Sequence, residues 1–95
     1  MKSELERLIA DAVNTLVGSM LPQAVDPAWI SVERARDASH GDYASNIALR
    51  LAKSAGRPPR EIAQAIVAAL PASPLLARAE VAGAGFINLY LAQSA

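Results

Sequence analysis

The sequence has no cysteine, one histidine and few aromatic residues: one tryptophan, two tyrosines and one phenylalanine. The absence of cysteine excludes disulfides, thiolate metal sites and a cysteine nucleophile, and it fits a reducing compartment. The sequence also has no metal-ligand cluster and no serine on a recognisable nucleophile elbow. The residues that an acid–base or catalytic-triad mechanism needs are therefore absent. The sequence therefore predicts no catalytic residue and no metal site.

Neither sign of charge is in excess, because nine Lys and Arg residues balance nine Asp and Glu residues. A neutral chain has no overall field to attract nucleic acid or an anionic membrane, so local contacts must hold any polyanionic partner. No apolar run is long enough to span a bilayer, and residues 1–7 carry acids where a signal peptide has a basic region. We expect a soluble, cytoplasmic protein with no membrane partner.

Hydrophobic residues make up 53% of the 95 residues, enough for one modest core. Apolar residues at helical spacing predict three helices, over residues 3–21, 43–55 and 59–70. Ser3 and Asp42 are the predicted N-caps of the first two helices, and Gly56 ends the second. The apolar stripe of the first helix consists of Leu5, Leu8, Ile9, Ala12, Val13, Leu16, Val17 and Met20.

Alternating apolar and polar residues predict strands over residues 29–34, 78–82 and 86–91. Gly83-Ala84-Gly85 supplies the turn between the last two strands, which form a hairpin. The predicted order is α-β-α-α-β-β in a single domain spanning residues 1–95. This order favours an α+β two-layer sandwich, with the helices on one face of a small antiparallel sheet and the other face open.

The last predicted strand has two chemically different faces. One face is aliphatic and suits a core, whereas Phe86, Asn88 and Tyr90 form the opposite face. An aromatic–amide–aromatic face is a poor core and a plausible platform for an unpaired nucleotide base. If the first strand packs in the same sense, Trp29 shares this open face, together with Ser31 and Glu33. A neighbouring domain or a dimer mate covering the aromatic residues remains the alternative interpretation.

The densest basic region contains Arg50, Lys53, Arg57 and Arg60, with no acidic residue between Asp42 and Glu61. Of these, Arg50, Lys53 and Arg57 fall close to one helical side, where they could follow a phosphate backbone. The alternative is that they complement the helix macrodipole and keep the surface soluble.

His40-Gly41-Asp42 places a histidine two residues from a carboxylate, a spacing that suggests acid–base chemistry. Gly41 as a turn residue and Asp42 as an N-cap explain the same residues without catalysis. We favour this structural interpretation.

Three segments occur in order: His40-Gly41-Asp42-Tyr43-Ala44-Ser45-Asn46, then Pro59-Arg60-Glu61-Ile62-Ala63, then Gly83-Ala84-Gly85-Phe86-Ile87-Asn88-Leu89. With this order and spacing, the chain resembles the N-terminal additional domain of arginyl-tRNA synthetases over essentially its whole length. The resemblance implies that residues 1–95 are the N-terminal tRNA D-loop-binding domain of a longer class I synthetase.

The same resemblance implies two partners: arginine tRNA, bound at its D-loop, and the catalytic domain of the same polypeptide. In the family an aromatic residue and an amide hold a flipped-out D-loop base, and the matching positions here are Phe86 and Asn88. Tyr90, one step further along the strand, is a candidate flanking contact. The parent would be an arginine–tRNA ligase that uses ATP, whereas this fragment would have no cofactor, bind without catalysing, and be monomeric.

A function of another class is also compatible with the pattern. The open sheet face could serve as a protein-interaction or dimerisation surface, because exposed aromatic residues in one patch mark interfaces of either kind. RNA-dependent protection of Phe86 and Asn88 would favour the tRNA interpretation. Concentration-dependent dimerisation through the same face would favour the alternative.

Overall fold

The computed structural model describes residues 1–22, 24–37, 39 and 41–92. Within these residues the chain forms three α-helices, one short 3₁₀-helix and a four-stranded sheet. The α-helices are α1 (Lys2–Leu16), α2 (Ile47–Ala55) and α3 (Pro59–Ala69), and the 3₁₀-helix is Pro27–Trp29. The strands are β1 (Glu33–Arg34), β2 (Tyr43–Ser45), β3 (Leu76–Ala82) and β4 (Phe86–Leu91).

The four strands are antiparallel and lie in the order β1-β2-β4-β3. Helix α3 packs against α1, α2, β3 and β4. Ile87 and Leu89 point from β4 into the helical layer and are fully buried, whereas Phe86 on the opposite face is exposed. The α+β two-layer architecture with one open sheet face is therefore confirmed.

The core is aliphatic and lies between the sheet and the helices. Its largest fully buried side chains are Leu5, Ile9, Leu21, Ile47, Leu51, Ile62, Ile66, Ile87, Leu89, Val13 and Val32. Burying a side chain of this size contributes about 1.5–3 kcal/mol to folding. These contacts fix the sheet against the helices and so fix which residues of β4 face outward.

The predicted element order is wrong at one place, because Tyr43–Ser45 forms a strand instead of the first turn of α2. Asp42 does not cap a helix: its backbone N–H donates to the Leu89 carbonyl at 2.8 Å, and its carboxylate accepts from the Leu91 N–H at 2.9 Å. The buried Ser45 hydroxyl accepts from the Ile47 N–H at 3.3 Å, so the helix begins there. The observed order is α-β-β-α-α-β-β.

The first predicted strand is shorter than expected. The Asp26 carboxylate accepts from the Ala28 N–H at 2.9 Å and caps the 3₁₀-helix that includes Trp29. The prediction that Trp29 lies on the open face of the sheet is wrong for this reason. Ile30 and Val32 are buried as expected, although strand pairing in β1 begins only at Glu33.

Helix α1 begins and ends differently from the prediction. Ser3 is inside the helix and its hydroxyl donates to the Glu4 carboxylate, so the expected capping box is absent. The helix ends at Leu16, and Gly18 (φ 92°) turns the chain back well before Pro22. Within the predicted stripe Leu5, Ile9, Ala12 and Val13 are buried, whereas Leu8 and Leu16 are only half-buried.

The C-terminal half follows the prediction closely. Helix α3 and strand β4 have nearly the expected bounds, and β3 begins two residues earlier than predicted. Gly56 ends α2 in the left-handed conformation (φ 65°), as a C-terminal glycine does. Strict alternation and proline placement are local signals, and the elements that they predict here are present in the folded domain.

Candidate nucleic-acid interface

The open face of the sheet is defined by cross-strand neighbours. Asn88 on β4 pairs with Ala44 on β2 and with Glu80 on β3, and Ala44 pairs in turn with Glu33 on β1. Residues directly opposite one another in an antiparallel sheet project from the same face. The small Ala44 side chain leaves space beside Asn88, while Phe86 lies one strand step away on the same face.

This space is a recess of about 480 Å³. It is lined by Arg34, Ala35, Arg36, Ala44, Ala82, Gly83, Phe86 and Asn88. Its volume falls within the range of about 300–1,000 Å³ that is common for small-molecule sites. The recess is therefore large enough for one planar group such as a nucleobase.

Phe86 and Asn88 share the open face, as strand alternation predicts, but they differ in exposure. Phe86 is 44% exposed, whereas Asn88 is 7% exposed and forms part of the recess lining. Among the hydrogen bonds of the described residues, none uses the Asn88 side chain. Its amide is therefore available to donate to and accept from a ligand in the recess.

Helix α3 fixes the turn that precedes Phe86. Arg60 Nη1 donates to the Gly83 carbonyl at 2.7 Å. Gly83 (φ 57°) and Gly85 (φ 147°) have positive φ, and Gly85 lies directly against Pro59. The glycines of the turn are needed for both the backbone conformation and this close approach, and together they set the position of the Phe86 ring.

Tyr90 also lies on the open face, but its side chain is already engaged. Its hydroxyl donates to the Ser39 carbonyl at 3.1 Å and lies 3.3 Å from a Glu80 carboxylate oxygen. The Arg78 guanidinium carbon lies 3.9 Å from the ring centroid. Glu80 accepts a 2.8 Å hydrogen bond from Arg78, which raises the pKa of that guanidinium above its ordinary value. Tyr90 therefore offers no free ring surface comparable to that of Phe86.

The three cations predicted to follow a phosphate backbone are all exposed and do not line the recess. Arg57 Nη1 lies 2.8 Å from the Glu61 carboxylate. Within the described ranges Arg50 and Lys53 form no ion pair. Helix α2 ends at Ala55, so Arg57 lies beyond it, and the prediction that all three cations share one helical side is wrong for Arg57. The role of the cluster in RNA binding stays a prediction.

Arg34 and Arg36 are recess residues that the sequence analysis does not identify. Arg34 is the last residue of β1, and its pairing with Tyr43, which pairs with Leu89, places its side chain on the face opposite Asn88; Arg36 follows in a bend beyond the strand. The Arg34 guanidinium carbon lies 5.8 Å from the centroid of the Tyr43 ring. No local pattern indicates that these residues border the recess, because their position depends on the pairing of β1 with β2.

Ser31 and Glu33, also predicted for the open face, line a second recess of about 150 Å³ together with Phe86. Trp29 is 40% exposed but lines neither recess. His40, from the candidate acid–base pair, lies outside the described residues. Gly41 and Asp42 instead hold the chain against β4, since a Cβ on Gly41 would lie 2.7 Å from the Leu89 carbonyl oxygen.

In the part of the chain that the structure describes, no helix has both the length and the apolar character needed to cross a membrane.

The fold and the recess define an α+β domain with an open sheet face that presents an aromatic ring beside an amide. The model of the family described as the arginyl tRNA synthetase N terminal domain matches residues 3–91. The chain belongs to this family.

Similar proteins agree with this assignment. The arginine–tRNA ligase of Pseudomonas fluorescens strain Pf0-1 is 52% identical over 91 residues, which are 95% of this chain and 16% of that protein. The ligase of Azoarcus sp. strain BH72 is 50% identical over 95 residues, which are 100% of this chain and 16% of that protein. The chain therefore spans 16% of the length of these curated relatives.

Two solved structures share the fold. The Thermus thermophilus arginyl-tRNA synthetase superposes with a TM-score of 0.74 at 31% identity, covering 96% of this chain and 14% of that chain. The arginyl-tRNA synthetase from Plasmodium falciparum superposes with a TM-score of 0.73 at 17% identity, covering 96% of this chain and 16% of that chain. The second likeness concerns the fold alone.

Proposed function

We propose that this domain binds the D-loop at the outer corner of arginine tRNA, as the N-terminal module of an arginine–tRNA ligase. The observation that supports the proposal is the exposed Phe86 ring beside the Asn88 amide in one open recess. Membership of the arginyl-tRNA synthetase N-terminal domain family supports tRNA as the partner.

The two side chains offer complementary contacts to an unpaired base. A phenylalanine ring stacks on the flat surface of any base, whereas an amide can donate to and accept from a base edge and so distinguish one base from another. Phe86 would therefore supply affinity and Asn88 would supply discrimination. A single-stranded loop suits this site, because a base must be unstacked before its hydrogen-bonding edge can enter the recess.

The remainder of the ligase would be supplied by the rest of a longer polypeptide. The relatives named arginine–tRNA ligase extend well beyond the segment matched here, which is 16% of their length. We propose that the catalytic domain and its ATP site belong to that remainder, and that this domain contributes tRNA binding alone. The isolated domain would then show neither aminoacylation nor ATP–pyrophosphate exchange.

An NMR titration of the domain with an RNA hairpin carrying the D-arm of arginine tRNA tests the proposal. The Phe86 ring signals and the Asn88 side-chain amide signals should shift saturably. Two matched probes should not move: the indole of Trp29, an exposed aromatic outside the recess, and the side-chain amide of Gln64, which is exposed on α3. Shifts confined to the matched probes, or none at all, would contradict the proposal.

The interaction-module alternative makes a different prediction for the protein without RNA. Sedimentation equilibrium should then reveal a dimer whose dissociation constant rises when Phe86 is replaced by Asp. If the protein is a monomer at all accessible concentrations, the dimerisation alternative is contradicted and the tRNA proposal accounts for the exposed Phe86 ring.

A further inference from the structure

We propose that Arg78, which lies over the Tyr90 ring, is a second stacking platform for RNA on the open face of the sheet. Its ligand is a second unpaired base of the same loop whose first base stacks on Phe86. Tyr90 is the positioning residue that supports the Arg78 guanidinium. The inference rests on the proposed function, because it extends the contact of the same RNA along strands β3 and β4.

The strand register places Arg78 on the face that carries the proposed base site. The residue pairs that project from this face of β3 and β4 are Arg78–Tyr90, Glu80–Asn88 and Ala82–Phe86. Four residues along β4 separate Tyr90 from Phe86, a distance of about 13 Å in an extended strand. Arg78 and Phe86 therefore lie at opposite ends of one surface, far enough apart for two different bases of an unstacked loop.

The Arg78 guanidinium is fixed by two contacts. Its carbon lies 3.9 Å from the centroid of the Tyr90 ring, and its Nε donates to one Glu80 carboxylate oxygen at 2.8 Å. The other Glu80 oxygen lies 3.3 Å from the Tyr90 hydroxyl, which donates to the Ser39 carbonyl at 3.1 Å. An arginine side chain that is ordered before binding loses less conformational entropy when a ligand contacts it.

The guanidinium is also accessible to a ligand. The Arg78 side chain is 59% exposed, although Tyr90 and Glu80 contact it. Unstacked RNA bases stack on arginine guanidinium planes as well as on aromatic rings, and the positive charge adds a cation–π attraction. Arg78 covers the Tyr90 ring and so presents its own surface to the RNA in place of that ring.

The charges at this end of the sheet favour a base over a phosphate as the ligand. Glu80 pairs with Arg78, and the Asp42 carboxylate accepts from the Leu91 N–H at 2.9 Å, one residue beyond Tyr90. The positive charge of Arg78 is thus accompanied by two carboxylates, which repel an approaching phosphate. A neutral base needs no excess of positive charge in order to stack on the guanidinium.

An abasic scan of the RNA loop tests the second platform. Each loop nucleotide of the D-arm hairpin is made abasic in turn, and affinity is measured for the unaltered domain, Phe86→Ala and Arg78→Lys. Two loop positions should matter to the unaltered domain. Removing one base should have little further effect in Phe86→Ala, and removing the other should have little further effect in Arg78→Lys, because each variant has already lost that stacking partner. If every position keeps its full effect in Arg78→Lys, the second platform is wrong.

Two substitutions at Arg78 separate stacking from a phosphate contact. Arg78→Lys keeps the charge but loses the guanidinium plane, so affinity should fall about five- to tenfold, toward the lower end for one stacked base. Arg78→Gln should leave the slope of log affinity against log salt concentration unchanged. Normal binding by Arg78→Lys, with a slope about 0.7 smaller in Arg78→Gln, would indicate a phosphate contact and overturn the stacking role. Arg7→Lys, at an exposed position on α1, is the matched control and should bind normally.

Substitutions at Tyr90 test its positioning role. Tyr90→Leu removes the ring beneath Arg78 and should weaken RNA binding about as much as Arg78→Lys does. Tyr90→Phe retains the ring and should rescue most of the binding that Tyr90→Leu loses. The double variant Tyr90→Leu/Arg78→Lys should bind no worse than either single variant, because both changes act on one platform. Additive losses would show that Tyr90 does not act through Arg78.

The Phe86→Ala arm of the scan distinguishes the two possible failures. If one loop position depends on Phe86 and none depends on Arg78, the proposed function stands and the second platform is wrong. If no position depends on Phe86, the proposed function itself is wrong. The thermal midpoint of each variant should stay within about 4 °C of the unaltered domain, as expected for side chains outside the core, so that changes in binding do not reflect unfolding.

Discussion

Gly85 packs against Pro59 so closely that a Cβ added to Gly85 would lie 2.6 Å from the Pro59 Cβ. This contact joins the first turn of α3 to the turn that precedes Phe86. The glycine is thus required by a neighbouring element as well as by its own backbone conformation, with φ at 147°.

Gly85→Ala should destabilise the domain by more than about 3 kcal/mol, because overpacking against Pro59 adds to backbone strain. Gly56→Ala is the matched control: it also has positive φ (65°), but a Cβ there would meet nothing within 4 Å. The control should cost only about 1–2 kcal/mol, the strain of a left-handed residue. Chemical denaturation of both variants checks the difference, and equal losses would contradict the role of the Pro59 contact.

Helix α1 gives a second test, because burial separates residues that share its apolar stripe. Ile9→Ala should cost about 2–5 kcal/mol, since Ile9 is fully buried and its removal leaves a cavity. Leu8→Ala should cost clearly less, because Leu8 is half-buried and borders an open recess. Urea unfolding of the two variants under identical conditions measures both free energies. A larger loss for Leu8→Ala would mean that α1 is rotated relative to the core.

The basic residues of α2 give a third prediction. Arg50→Gln/Lys53→Gln should lower the magnitude of the salt slope for RNA binding by about 1.4 if both follow the RNA backbone. Arg57→Gln should change the slope less, because Arg57 already pairs with Glu61 at 2.8 Å. RNA-binding titrations over a range of salt concentrations measure both slopes. A slope unchanged by Arg50→Gln/Lys53→Gln would assign these cations to the helix end and the soluble surface.

The parts of the fold that follow from local signals were predictable. Strict alternation predicts β4 with its observed bounds, and prolines flanking an apolar stripe predict α3 to within one residue. Strand β2 was missed because Asp42 interacts with Leu89 and Leu91, which are distant in sequence. Asp42 therefore forms these two tertiary hydrogen bonds instead of the helix N-cap that its local sequence suggests.

The candidate site was predictable only in part, for the same reason. The outward placement of Phe86 and Asn88 follows from alternation in one strand. The recess beside them requires the pairing of β2 with β4 and the position of Arg34, Ala35 and Arg36, which no local pattern indicates. Alternation predicts Tyr90 on the open face as a candidate flanking contact; in the structure Arg78 lies over its ring and its hydroxyl donates to the Ser39 carbonyl.

Two exposed aromatic residues allow a matched test of whether an unpaired tRNA base stacks on Phe86. Phe86→Ala and Trp29→Ala remove exposed aromatic rings of similar exposure, 44% and 40%, but only Phe86 borders the recess. The affinity of each variant for arginine tRNA should be measured together with its thermal midpoint. We predict that Phe86→Ala weakens binding by about 1–3 kcal/mol with little change in the midpoint, while Trp29→Ala binds normally. Normal binding by Phe86→Ala, or equal losses in both variants, would contradict base stacking on Phe86.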